Sequence, residues 1–165
     1  MGYGWIGRGD EQIQRDSYMT TILESVENAR AGNNPTVICL MPSGWAVLCD
    51  MQHLPEYSIL LPDPVVGKIN DLNREQRAVF LCDMITVGDA LLDITDVFRI
   101  NYVILGNSDP DLHAHIVPRY LTEPSEIRNG LPSSYPKETL GSRLFDYERD
   151  KELIVRLAEA IAKRL

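Results

Sequence analysis

Asp111-Leu112-His113-Ala114-His115-Ile116-Val117-Pro118-Arg119-Tyr120 opens with strict alternation of ionisable and apolar side chains. In an extended strand neighbouring side chains point to opposite faces, so Asp111, His113 and His115 project together while Leu112, Ala114 and Ile116 project the other way. The apolar set reads as packing. Two imidazoles and a carboxylate on the other face are costly to bury unless each finds a partner, so the pattern predicts a strand with a chemical face. A surface strand carrying chance histidines is the plain alternative.

Working outward, Phe98 to Leu105 reads as a strand joined to this one by the tight turn Gly106-Asn107-Ser108-Asp109-Pro110. Further back, Thr36 to Met41, Trp45 to Asp50 and Tyr57 to Pro62 are short apolar runs separated by turn residues, an antiparallel meander that brings the sheet to about five strands. Asn73 followed three residues later by Gln76 has the form of a capping box. Ala78, Leu81, Ile85, Gly88 and Leu92 continue one helical stripe from it, predicting a long helix over Asn73 to Asp96. An earlier amphipathic helix is predicted from about Asp10 to Ala31, with Met19, Ile22, Leu23, Val26 and Ala29 at helical spacing and Gly32-Asn33-Asn34-Pro35 as its stop. Residues 121–147 carry Pro124, Gly130, Pro132, Pro136 and Gly141 without sustained period and read as an irregular arm. A last helix, 148–165, shows Ile154, Leu157, Ile161 and Leu165 on one face, with Lys163 and Arg164 suiting its C-terminal dipole. The expectation is one α+β domain over residues 1–165: a five-stranded antiparallel sheet with a long helix packed on it, plus N- and C-terminal helices.

Composition narrows the function classes. With 24 acidic against 16 basic residues the formal charge is −8, which opposes non-specific association with nucleic acid or anionic membrane while leaving room for a small anion held by local donors. There is no run of about 18 apolar residues. The start Met1 to Ile6 lacks the basic and apolar regions of a signal peptide, and Ile6 stands where a myristoylation pattern wants Ser or Thr. A cytoplasmic protein is expected. Cys39, Cys49 and Cys82 form no Cys-x-x-Cys pair and sit among apolar neighbours, as buried free thiols would.

The quoted stretch resembles the motif of the histidine triad superfamily, His-x-His-x-His followed by two apolar residues and often Pro-Arg. Pro118-Arg119-Tyr120 sets the register: His113 falls on the middle histidine, His115 on the last, and Asp111 replaces the first. Asn101 to Asn107 with Pro110 is similar to the preceding strand and turn. Pro55 to Pro62 is similar to a family strand, with Tyr57 where a histidine is common. The resemblance implies that His113 attacks the α-phosphorus of a dinucleoside polyphosphate, such as a diadenosine polyphosphate, or of a nucleoside phosphoramidate, leaving a nucleotidyl-imidazole for water or another acceptor. His115 would help hold the phosphate, Asn107 and Ser108 would donate to its oxygens, and Asp50, expected at the end of its strand, would bind the ribose. A homodimer is implied. No cofactor is implied with certainty; a divalent cation would enter with the nucleotide.

Asp111 leaves the chemistry open. A carboxylate about 5 Å from His113 interacts with a unit charge by about 3 kcal/mol at an effective dielectric near 20, raising the imidazole pKa and repelling phosphate. That describes an impaired enzyme that still binds nucleotide. A protonated Asp111, or one neutralised by Arg119 or Lys68, would instead serve the leaving group as a donor. A shifted register, with His113 first, His115 second and Val117 third, resembles the His-Pro-His of galactose-1-phosphate uridylyltransferases but misplaces Pro118-Arg119. A metal site from Asp111, His113, His115 and His53 needs a ligand from elsewhere, because successive residues on one face of a strand already stand about 7 Å apart. His53 reads as a solvated loop histidine, Trp5 and Trp45 as packing residues, and Lys68 as a weak phosphate ligand.

Overall fold

The computed structural model describes residues 21–140 and 142–165. The start of the chain, Trp5 and the Asp10 to Thr20 part of the expected first helix lie outside them.

The elements are α1 (Ile22–Arg30), β1 (Val37–Met41), β2 (Gly44–Leu48), β3 (Ser58–Pro62), α2 (Arg74–Ile94), β4 (Arg99–Val103), β5 (Ala114–Arg119), α3 (Ser125–Arg128), α4 (Lys137–Leu140) and α5 (Tyr147–Ala162), with short 3-10 turns at Ile69–Asp71 and Pro132–Ser134. The strands form one antiparallel sheet in the order β1-β2-β3-β5-β4. The first three are a meander. Gly44 closes the β1–β2 turn at φ +151, where an added Cβ would lie 2.0 Å from the carbonyl oxygen of Leu61, so backbone approach rather than turn preference requires glycine. β5 then inserts between β3 and β4. Pro118 is tolerated there because β3 pairs with β5 only as far as Ile116, so among the described residues Pro118 is paired on one side, with β4.

Strand parity divides the sheet. Ile38, Ala46, Leu48, Leu60, Ala114 and Ile116 face the main core with Phe80, Met84, Val87 and Leu91 of α2 and Leu157 and Ile161 of α5. Val47 and Leu61 face the other side, where Ile22 and Val26 of α1 close a smaller core. Both helix starts are capped as the residues suggest. Asn73 and Gln76 form a reciprocal capping box, and so do Thr21 and Glu24, which begin α1 at Ile22. Within α1, Ile22, Val26 and Ala29 are buried while Leu23 is exposed.

The expected α2 stripe is a correction. Phe80, Asp83, Met84, Val87, Gly88, Ala90 and Leu91 are buried, whereas Leu81, Ile85 and Leu92 are about 40% exposed. The helix carries two apolar stripes, and the buried one contains an acid. Asp83 is tolerated because its carboxylate accepts from the Ser43 amide at 2.7 Å and hydroxyl at 2.6 Å. Gly88 is common to both readings: a Cβ there would lie 2.0 Å from the Tyr102 hydroxyl, so α2 approaches β4 closely and a larger residue would have to displace the Tyr102 ring. In α5, Leu157 and Ile161 are buried with Ala160, while Leu165 lies beyond the helix and is exposed. Of the three free thiols only Cys49 is fully buried; Cys39 is half-buried and Cys82 exposed, against the expectation of three buried thiols. Burial pushes the first two up to about 12 and about 11 respectively, so both stay protonated.

Residues 121–147 are not featureless. Short helical turns α3 and α4 hold them, and Met51 bridges Leu144 while the Gln52 amide donates to the Arg143 carbonyl and the Phe145 amide to the Asp50 carbonyl, both at 2.8 Å. No helix among the described residues is long and apolar enough to cross a membrane.

Candidate functional site

His115 pairs with Ile59 of β3 and Val103 of β4 on the sheet face opposite the main core. That face is covered by α1 over β2 and β3, and by the 121–135 segment over Arg119 at the far end of β5. β5 begins only at Ala114, so Asp111 does not share a strand face with the histidines as the alternation predicts. The reason is competing hydrogen bonds: the Asp111 amide donates to Asp109 Oδ1 at 3.0 Å and the Leu112 amide to the Val66 carbonyl at 2.7 Å, which ends the ladder before it reaches Asp111.

His113 is buried, and its Nδ1 lies 2.7 Å from the Asp111 carbonyl oxygen. A carbonyl only accepts, so Nδ1 carries a proton, and in the neutral form of the ring the lone pair is on Nε2. Asp111 therefore engages His113 through its backbone. Its carboxylate has no hydrogen-bond or ion-pair partner among the described residues, and neither expected cation reaches it: Lys68 pairs with Asp71 on the surface, and Arg119 is consumed elsewhere.

The His113 and His115 rings stand edge to face, centroids 4.7 Å apart. Burial, and then the neighbouring His113, lower the His115 pKa to about 4, so it is neutral at neutral pH. The Tyr57 hydroxyl lies 2.8 Å from His115 Nδ1. His53 meets Tyr57 edge-on at 5.7 Å and Tyr135 at 5.4 Å. It is no solvated loop histidine, since its Nδ1 is buried without a partner among the described residues, and burial lowers its pKa. Gln52 fixes this loop by donating from Nε2 to the carbonyls of Cys49 at 2.8 Å and Tyr57 at 2.7 Å. Tyr57 was legible only as a residue standing where histidine is common. Nothing in the local sequence signalled Tyr135, which comes from the arm.

Asp50 lies two residues beyond the end of β2 rather than in it; the residue is exposed as a whole, and partial burial of its carboxyl raises the pKa above the usual range. Asn107 and Ser108 are exposed in the turn after β4. None of the three hydrogen-bonds through its side chain to another described residue, which leaves their donors and acceptors open to a ligand.

Arg119 is the anchor of the far cover. It is 1% exposed. Nε and Nη2 bind the Glu123 carboxylate at 3.0 to 3.2 Å, Nη1 donates to Asn101 Oδ1 at 2.9 Å and the Gly130 carbonyl at 3.2 Å, and Nη2 donates to the Ile127 carbonyl at 2.8 Å. All five N–H groups are used. Glu123 accepts further bonds from the Tyr120 amide at 2.6 Å and the Tyr135 hydroxyl, so this buried pair is fully satisfied. Trp45 packs on the smaller core and donates from Nε1 to Asp63 at 3.0 Å. Among the described residues no group of three or more His, Cys, Asp or Glu is arranged to hold a metal ion.

No protein-family model matches the chain, and no curated protein matches it. Solved structures do. A histidine triad protein of Bradyrhizobium japonicum is 25% identical with a TM-score of 0.62, covering 76% of this chain and 89% of its own. A histidine triad protein of Sinorhizobium meliloti 1021 is 21% identical with a TM-score of 0.63, covering 75% and 87%. A hypothetical histidine triad nucleotide-binding protein of Sulfolobus tokodaii strain 7 is 14% identical with a TM-score of 0.65, covering 84% and 91%.

Proposed function

We propose that this chain, which belongs to the histidine triad superfamily, binds a nucleoside phosphate conjugate and cleaves it by nucleotidyl transfer through His113. The observation that carries the reading is the bond from His113 Nδ1–H to the Asp111 carbonyl, which leaves Nε2 as a lone-pair nitrogen in a ring that cannot rotate freely. Nε2 attacks the α-phosphorus, the P–N bond forms, and the bond to the leaving group breaks with its electron pair. Water or another acceptor then attacks the same phosphorus and returns the imidazole. His115, neutral beside it, meets the phosphate as a dipole. Asp50 takes a ribose hydroxyl, and Asn107 and Ser108 donate to phosphate oxygens. A divalent cation enters with a polyphosphate substrate and neutralises it where Asp111 would otherwise repel it.

Asp111 supports a second reading. Among the described residues its carboxylate has no cation partner, so charge repulsion reduces turnover and leaves a nucleotide-binding protein. The two are separated by incubating the protein with diadenosine tetraphosphate and with adenosine phosphoramidate, with and without divalent cation, and measuring released adenosine monophosphate. Release abolished by His113→Ala is expected. Nucleotide binding with no release from either substrate, retained in His113→Asn, would replace the first reading with the second.

Two copies pair through the outer stripe of α2. Leu81, Ile85 and Leu92 line the outward side of this helix, each about 40% exposed.

A further inference from the structure

From the contact between Tyr57 and His115 we infer that Tyr57 is a positioning residue: its phenol proton fixes His115 as the Nε2–H tautomer, opposite to His113. The phenol oxygen lies 2.8 Å from His115 Nδ1, and among the described residues this is its only hydrogen-bond partner. A half-buried O–H with one available neighbour donates to it, because the alternative, accepting from Nδ1–H while its own proton finds nothing, leaves a donor unsatisfied. Burial raises the Tyr57 pKa far above its ordinary value, so the phenol keeps its proton. The His53 ring standing edge-on at 5.7 Å offers no competing bond to that oxygen, and Gln52 holds the Tyr57 backbone carbonyl from below, so the phenol is kept in register with β5. With Nδ1 of His115 accepting and the ring neutral, its one proton is at Nε2.

The consequence is a division of labour between two chemically identical side chains. His113 is held by a carbonyl, an obligate acceptor, and presents a lone pair; His115 is held by a phenol acting as donor, and presents N–H. A histidine in place of Tyr57 would itself need its tautomer set by a further neighbour. A phenol at this depth has one protonation state across the physiological range, so the assignment of His115 does not drift with pH. The role of that N–H, donating to a phosphoryl oxygen as charge develops on it, rests on the proposed function; the tautomer assignment does not.

The protein has three histidines, so long-range nitrogen–proton NMR of the imidazole rings assigns each by comparison with His115→Gln and His53→Gln. Wild type at pH 7 is expected to show His115 protonated at Nε2 and His113 at Nδ1. Tyr57→Phe, which keeps the ring and loses the hydroxyl, is expected to shift His115 toward Nδ1–H and to lower turnover of adenosine phosphoramidate about tenfold with little change in KM. His115 protonated at Nδ1 in wild type overturns the inference whether or not any variant folds. An unchanged tautomer in folded Tyr57→Phe overturns it as well. A changed tautomer with unchanged turnover overturns the positioning role alone. Absence of turnover in wild type would instead count against the proposed function and leave the NMR result standing.

Discussion

Acidification should unfold this protein in part through one buried imidazole. The His115 pKa falls from an ordinary 6.5 to about 4 because burial, and then His113, penalise its charged form. The unfolded chain therefore binds more protons than the native one between those values, and stability is lost as pH falls through that window. Worked through the linkage relation, His115 contributes a loss of about 1 kcal/mol between pH 7 and pH 5.5 and about 3 kcal/mol by pH 4. Carboxylates held low by partners, such as Asp63 beside Arg30 and Asp150 between Arg143 and Arg149, lose stability lower down, as pH falls through their depressed values. The His115 share is isolated by denaturant unfolding of wild type and His115→Gln at pH 7, 5.5 and 4, because Gln fills the site without titrating. The difference between the two proteins should move in favour of the variant by those amounts. A difference that stays constant across pH, or a His115 ring resonance that titrates near 6.5, would refute the argument that burial governs this group.

Two further perturbations test other parts of the molecule. Arg119→Met strands the Glu123 carboxylate and the carbonyls of Ile127 and Gly130, and should cost about 3 to 5 kcal/mol in denaturant unfolding while opening 121–135 to limited proteolysis; Arg119→Met with Glu123→Leu should recover much of the loss. Ile85→Glu, placed in the exposed α2 stripe, should turn a dimer into a monomer in sedimentation with the thermal midpoint of the monomer unchanged, and a wild-type monomer at high concentration would remove that assignment.

Features set by neighbours in sequence were the legible ones. The Asn73 capping box and the stop at Gly32 with φ +72 are decided within four residues, and each was where the pattern put it. So was the apolar side of β5, because alternation follows from the strand itself. The inward face of α2 was not legible. Periodicity identifies a stripe, but this helix has two, and the buried one is disguised by Asp83, whose partner Ser43 lies 40 residues away. The start of β5 failed for the same reason: Asp109 and Val66 take the amides of Asp111 and Leu112, so a strand pattern continues in sequence after the strand has ended in space. The arm read as irregular because its order comes from Arg119, a residue outside it. At the site, His113 and His115 were readable from spacing, while Tyr57, His53 and Tyr135 meet only through the fold, and Asp111 acts on His113 through an atom that every residue possesses.

The loop that delivers His113 is clasped by a single carboxylate. Asp109 accepts from the Asp111 amide with one oxygen and, at 2.9 Å, from the Ile22 amide with the other, across 87 residues of sequence. The first turn of α1 and the entrance to the site are thus two ends of one buckle. Stiffness at the entrance is borrowed from a helix distant in sequence, and a loop movement that displaces Asp109 gives up its bond to the first amide of that helix. Variation in what the site accepts is therefore written as much into the start of α1 as into the residues that line the entrance.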